Sequence, residues 1–386
     1  MMQALGALGH EIGLVTLQES PAPALDGLTL SLRRILPAAP GRTAPDKKFT
    51  LTKMQERFRS YFGVPTERIR ALAEVIDEFQ PDAFVAGGLD ILPYFVGTRA
   101  TVSVWYAADE LAWHHLSLLK LRDRSSWSEH GKESIVKALY ERAFSGAIDR
   151  AWVVSPVEAR AMRWIAGVPQ VDVVPNGVDA RLYQPIQTQE IEHSAVFWGR
   201  LDFGPNVQAL EWFCGSIWPA VRKAHPEARF TIIGFQPIER VRQLAGRDGI
   251  ELLPDLPDLR AEVSRRAVVV LPFVSGGGIK NKLLEAAGLG KAIVCTPRTC
   301  SGLRDAKTAP LRLATSADSW TSTLGELWGD ANRRRQLGTD ARAWVLAHHT
   351  WTATAQDALA GLRASLRDRQ RTRPASASMA DASRTS

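Results

Sequence analysis

The chain has 386 residues, of which 45% are hydrophobic and 23% charged, with a net charge of +7 and 12 tryptophans. That length exceeds what one ordinary core serves, so two domains are expected, and so mild a positive balance does not point to nucleic acid. Cys214, Cys295 and Cys300 show no CxxC spacing, which argues against a zinc site or a disulfide framework and favours a reducing cytoplasm.

No apolar run reaches the length of a membrane span. The opening MMQALGALGHEIGLVT lacks a basic start and carries His10 and Glu11 inside its apolar pattern, unlike a secretion signal. It reads as the end of a helix stopping at Gly9, then a strand over 12–16. The Pro- and Gly-rich stretch 21–48 reads as loop. Strands follow over 83–87, 101–106, 151–155 and 171–175, with helices over 66–80 and 133–147. PNGVDARLYQP (175–185) is turn chemistry, Asn-Gly, Asp and a closing Pro, and reads as a linker. A second series then begins, with strands over 195–200, 228–234, 250–254, 267–273 and 291–296 and helices over 206–225, 237–246 and 281–290. Two βα series joined by a linker predict an α/β protein with two facing Rossmann-like domains and parallel sheets. The expected division is an N-terminal domain over 1–178 and a C-terminal domain over 179–345. A helix over 346–366 is expected to pack back toward the first domain, and the basic, Ser/Ala-rich tail 367–386 to be disordered.

The most informative stretch is PFVSGGGIKNKLLE (272–285), which follows the apolar run AVVVL. Strand, glycine turn and helix come in the order that builds an anion site: helix N-termini present unpaired N–H groups, and glycines let backbone approach a phosphate. It is neither GxxxxGK[ST] nor GxGxxG, so the residues alone give a phosphate cradle of unspecified type. Ile279, Leu283, Ala286, Ala287 and Gly290 form the apolar face of the helix, and Asn281 and Glu285 point away from it. Lys280 and Lys282 flank the opening turn, where an ammonium 4 Å from a phosphate in a half-wet cleft gains up to about 4 kcal/mol of gross attraction. Glu285 beside a diphosphate makes sense when it accepts hydrogen bonds from hydroxyls, such as those of a ribose. The same charges also fit a merely solvated helix face.

PNGVD, the strand-end pair Gly199-Arg200 and GGGIKNKLLEAAGLGKAIVCT, with ADELAWHHLS and IDRAWVVSPVEARAM in the first half, resemble the bacterial glycosyltransferase family 4 group over about residues 1–362. The resemblance implies the GT-B fold and retaining transfer of a sugar, of the hexosyl type, from a nucleotide-diphosphate sugar to a saccharide or lipid-linked acceptor. GIKNK and GPNVQALEWF are similar to the subset that builds exopolysaccharides and surface glycans. The C-terminal domain would hold the donor and the N-terminal domain the acceptor.

By the same resemblance, Gly276, Gly277, Gly278 and Ile279 present backbone to the diphosphate, with Lys280, Asn281 and Lys282 beside them, and Glu285 binds the ribose. Gly199 and Arg200 match the family's GR, whose arginine neutralises the leaving diphosphate. Asn206 stands where a lysine often follows, so that charge falls to Lys280 or Lys282. Asp109 sits where relatives carry a His-Asp pair, with Ala108 in the histidine's place, and fits either a hydroxyl-orienting role or a helix N-cap. The catalytic set is then Arg200, Lys280 and Asp109, with no metal and no cofactor other than the nucleotide sugar as co-substrate. Asn176, Gly177 and Asp179 read as a hinge, Asp258 as a helix cap, and His348 and His349 receive no role. Arg33, Arg34, Lys47, Lys48, Lys53, Arg57 and Arg59 form a basic surface suited to peripheral contact with an anionic membrane at the cytoplasmic face, or simply to water.

Two departures from the family stand out. Gly277 lies eight positions before Glu285, where relatives carry a glutamate that contacts the donor sugar. The strand and Gly-rich loop that open the family are missing, so the N-terminal sheet is expected to lack its first strand. Both departures support a rival reading, a catalytically impaired nucleotide-binding partner in a glycan assembly complex.

Overall fold

The computed structural model describes residues 1–18, 27–36, 50–88, 90–98, 101–107, 127–246, 248–276 and 278–372. In the first half these form strands β1 (Gly13–Thr16), β2 (Leu32–Ile35), β3 (Ala83–Gly87), β4 (Val102–Ala107), β5 (Arg150–Val153) and β6 (Gln170–Val173). The second half carries β7 (Ile191–Arg200), β8 (Arg229–Phe235), β9 (Ile250–Pro254), β10 (Arg266–Leu271), β11 (Ala292–Cys295) and β12 (Arg312–Leu313). All pairings between these strands are parallel, with helices supplying the crossovers.

The second half folds as one six-stranded sheet in the order β12-β11-β10-β7-β8-β9. β10 and β11 are buried along their whole length, and their run of Val, Ile and Ala is what a strand covered on both faces requires. From β7 the chain winds outward through β8 and β9; from β10 it winds the other way through β11 and β12. The order therefore reverses between β7 and β10, and open α/β sheets bind their ligands outside the carboxyl ends at such a reversal. Gly199-Arg200 and the glycine turn are the segments that leave those two ends.

The N-terminal half holds two sheets, β1-β2 and β3-β4-β5-β6. Val15 of β1 and Phe84 of β3 pack against one cluster of Leu36, Val64, Ile69, Leu72, Ile76 and Tyr94, yet the two strands are not paired. Among the described residues each keeps one edge without a neighbouring strand, in line with a sheet short of one strand. β2 lies inside the stretch expected to be loop; its pairing with β1 over Gly13↔Leu32 to Thr16↔Ile35 outweighs the Pro- and Gly-rich flanks.

Two further expectations need correction. The helix expected over 206–225 is three pieces, an α-helix Gly204–Trp212, a π-helical segment Phe213–Ile217 and an α-helix Trp218–Ala224. Pro219, at the start of the last piece, has no N–H to donate and crowds the carbonyl four residues back, so the bonding register shifts ahead of it. The tail expected to be disordered over 367–386 is helical in its first residues, because the helix Trp351–Thr372 extends into it. Arg369 pairs with Asp149 at 2.8 Å, and Ala358, Leu359 and Leu362 bury against Val102, Val104, Trp152 and Val174. The last helix thus leaves the C-terminal half and covers the β3–β6 sheet. Residues 373–386 lie outside the described residues.

Candidate active site

Between β10 and the helix Asn281–Gly288 the backbone turns through Gly276 at φ +84° and Gly278 at φ +67°, conformations that suit glycine. Gly277 lies outside the described residues, as do Asp109, Ala108, His114 and His115. Lys280 and Lys282, equivalent in the sequence, part company here. The Lys280 ammonium lies 5.3 Å from the Phe273 ring centre, and a Cβ on Gly276 would come within 3.0 Å of it, so Lys280 leans over the glycine turn. Lys282 is half-buried, with its ammonium turned inward. Its ammonium donates to Asn206 Oδ1 at 3.2 Å and lies 5.7 and 5.8 Å from the rings of Phe197 and Phe273.

Gly199 explains how Lys282 fits. At φ +146° it ends β7, and a Cβ there would collide with Lys282 Cε and lie 2.6 Å from Nζ. Burial pushes the Lys282 pKa down to about 8, with the nearby Glu285 carboxylate pulling the other way. Asn206 fixes the arrangement by donating from Nδ2 to the Arg200 carbonyl at 2.7 Å. Asn206, expected to stand where relatives often carry a lysine, thus holds the Lys282 ammonium. Arg200 itself is turned outward. Its guanidinium makes a two-point pair with Asp202, at 3.1 and 2.7 Å, and the side chain is 56% exposed.

Glu285 accepts from the Trp198 indole N–H at 3.0 Å, and Tyr183 lies beside the same carboxylate. Asn281 is engaged across the molecule: its Oδ1 accepts from Asn176 Nδ2 at 2.8 Å, and Asn176 Oδ1 accepts from the Tyr106 hydroxyl at 3.2 Å. These bonds tie β4, the linker and the start of the helix Asn281–Gly288 together. Asn176 is thus more than a turn residue. Ile279 is buried, and Gly302 stands close to Gly278, Ile279 and Ser155, so the two halves meet beside the turn. Asp258 is not the helix cap expected: Leu259 holds that position of the helix Arg260–Arg265, and Asp258, one residue earlier, accepts the Arg260 backbone N–H at 2.9 Å and pairs with its guanidinium at 2.7 Å.

His349, to which the sequence gives no role, is a structural pin. Completely buried, it accepts the Arg304 amide on Nε2 at 3.1 Å and faces the Asn176 carbonyl with Nδ1 at 3.4 Å. Its own carbonyl accepts the Val178 N–H at 2.8 Å. Burial holds its pKa below that of an ordinary histidine. A lone histidine after a helix carries no local signal of such a part. Among the described residues, no three His, Cys, Asp or Glu side chains converge as a metal site would require, and no helix is long and apolar enough to cross a membrane.

Two family profiles match consecutive parts of the chain, "Glycosyl transferase 4-like domain" over residues 1–177 and "Glycosyl transferases group 1" over 192–330. The chain belongs to the family 4 type of glycosyltransferases. Solved structures agree on a GT-B fold of two Rossmann-like halves. Sucrose-phosphate synthase from Thermosynechococcus elongatus superposes with a TM-score of 0.63 at 16% identity, over 96% of this chain and 91% of its own. HepE of Anabaena, in complex with UDP and glucose, gives 0.60 at 11% identity over 94% of each chain. A glycosyltransferase from Rickettsia africae gives 0.58 at 10% identity, over 95% of this chain and 91% of that one. No curated protein sequence matches the chain. The protein is therefore a glycosyltransferase, a transferase of the class that moves sugars.

Proposed function

We propose that this glycosyltransferase is a retaining, hexosyl-type enzyme. It would take its sugar from a nucleotide-diphosphate sugar and pass it to a saccharide or lipid-linked acceptor in exopolysaccharide or surface-glycan synthesis. The single observation that carries the donor assignment is the buried Lys282 ammonium, held by Asn206 against Gly199 where the strand order reverses. A desolvated cation of this kind is unfavourable until an anion arrives. The start of the helix Asn281–Gly288 and the backbone of Gly278 and Ile279 add partial positive charge at the same place. HepE, of the same fold, is seen with UDP and glucose, which supports a nucleotide sugar as the ligand class.

In this reading Lys282 and Lys280 meet the two phosphates and Glu285 takes the ribose hydroxyls. Arg200 leaves Asp202 when the donor binds and meets the negative charge that grows on the departing diphosphate. These cations, rather than a metal ion, neutralise the leaving group, and the protein has no resident cofactor. Residues 179–345 form the donor side, residues 1–178 receive the acceptor, and the last helix ties one to the other. Retention rests on the family resemblance. The enzyme works in the cytoplasm at the inner membrane face, where the exposed Arg33, Lys53 and Arg57 meet anionic lipid. Arg34 and Arg59 contribute less, being paired with Glu78 and Glu56.

Thermal shifts with UDP, GDP, ADP and dTDP, followed by transfer assays with the matching nucleotide hexoses, test the proposal. Ligand at about a hundred times its dissociation constant stabilises by roughly 2.7 kcal/mol, a readable shift. No shift with any nucleotide would refute the donor site. A shift without transfer to any saccharide or lipid-linked acceptor would favour the impaired partner protein, a reading to which the outward, Asp202-paired Arg200 also lends support.

A further inference from the structure

Glu285 is not an isolated carboxylate. Trp198, the residue before Gly199 on β7, is 2% exposed, and its indole N–H points at Glu285 Oε2 from 3.0 Å. The Tyr183 phenol, from the linker, faces the same carboxylate; burial and that negative charge both raise its pKa. Tyr183 is itself pinned. Its carbonyl accepts from Arg342 at 3.0 Å, the Leu182 carbonyl accepts from Arg260 at 2.8 Å, and a Cβ on Gly288 would come within 3.0 Å of Tyr183 Cβ.

The last torsion of a glutamate is broad, so an unsupported carboxylate samples many orientations. A buried indole donor narrows that range, and with the Tyr183 phenol it uses two of the roughly four acceptor positions of a carboxylate, leaving the rest for a ligand. Resting on the reading of Glu285 as the ribose contact, we propose that Trp198 is a positioning residue. It sets the Glu285 carboxylate to accept from the vicinal 2′,3′-diol of a ribonucleotide, with Tyr183 bracing the carboxylate from the linker side. The site then discriminates ribonucleotides from their deoxy forms through an N–H that touches no ligand. A purely structural alternative exists, in which Glu285 merely satisfies the Trp198 indole, and the two differ in what they predict.

The test uses the full chain with UDP, GDP and ADP, and the 2′,3′-dideoxy form of whichever binds most tightly. Trp198→Phe removes the N–H. 3-Benzothienylalanine at position 198 replaces it by sulfur with the ring shape kept, in case the smaller phenyl ring impairs folding. Each is expected to weaken the ribonucleotide about three- to tenfold, the scale of one hydrogen bond, and to leave the dideoxy form unchanged. In a Glu285→Ala background the Trp198 effect should vanish, and in turnover it should appear as a raised KM with kcat retained. Equal losses for ribo and dideoxy nucleotides, or no loss at all, would overturn the positioning role while leaving Glu285 as a contact. If Glu285→Ala itself binds the ribonucleotide as the parent does, the ribose assignment falls, and this proposal with it.

Discussion

Replacing Lys282 by methionine should make the protein more stable and less able to bind. In the folded chain this ammonium, with an ordinary value of 10.5, titrates at about 8 because it is buried. For a lysine with a depressed folded pKa the unfolded chain binds the proton more tightly, so at pH 7 folding works against the charge. The gap corresponds to about 3.5 kcal/mol at roughly 1.4 kcal/mol per pH unit. Methionine keeps an apolar stem against Phe197 and Phe273 but leaves Asn206 Oδ1 without the ammonium, at a cost of about 1 kcal/mol. The net gain is about 2.5 kcal/mol, or a melting midpoint raised by about 5–10 °C for a unit of domain size. The nucleotide-induced shift should disappear in the same variant. Scanning fluorimetry at pH 7, with and without UDP, GDP, ADP and dTDP, reads both effects. A Lys282→Met protein that melts below the parent, or that keeps the parent's nucleotide shift, would refute this reasoning.

The same titration gives a pH signature: nucleotide affinity should fall as pH rises through about 8, and a Lys282→Arg variant that still binds should show a flat profile, measured by calorimetry. Gly199→Ala places a Cβ onto Lys282 at a φ unsuited to alanine, so it should cost about 2 kcal/mol or more and abolish binding; an unchanged melting curve would contradict the packing described. Arg200→Ala should lower kcat about tenfold or more while nucleotide affinity changes less, as expected of a group that serves the transition state. Unaltered turnover would remove Arg200 from the mechanism. Because His349 has a lowered folded pKa, its contribution to stability is complete above about pH 6.5 and is lost as pH falls through the folded value. His349→Asn should therefore flatten the fall in melting temperature on the acid side of pH 6.5, and an identical slope would exclude His349 as its source.

The alternation of apolar runs with amphipathic helices was enough to give parallel sheets and two halves, since both periodicities are written in neighbouring residues. The turn at Gly276 and Gly278 was equally legible, because a left-handed backbone leaves its mark in local composition; Gly177 of the linker is required instead by the close approach of the Thr350–Trp351 backbone, which only the fold shows. Glu285, Lys280 and Lys282 could be named as a group on the same basis. The sequence could not say which lysine turns its ammonium inward onto Asn206, Phe197 and Phe273. That choice depends on Gly199 and Asn206, which arrive from β7 and the helix after it. Nor could it show that Glu285 is held by Trp198, 87 residues away, or that Asn176 bridges Tyr106 to Asn281. β2 and the last turns of the final helix were missed for a related reason. Their local composition is poor, and long-range pairing with β1 and Asp149 stabilises them. Local conformation depends on a few adjacent residues. Burial, and with it the charge state of Lys282 and the roles of His349 and Trp198, depends on which distant surfaces are brought together, and only the tertiary structure decides that.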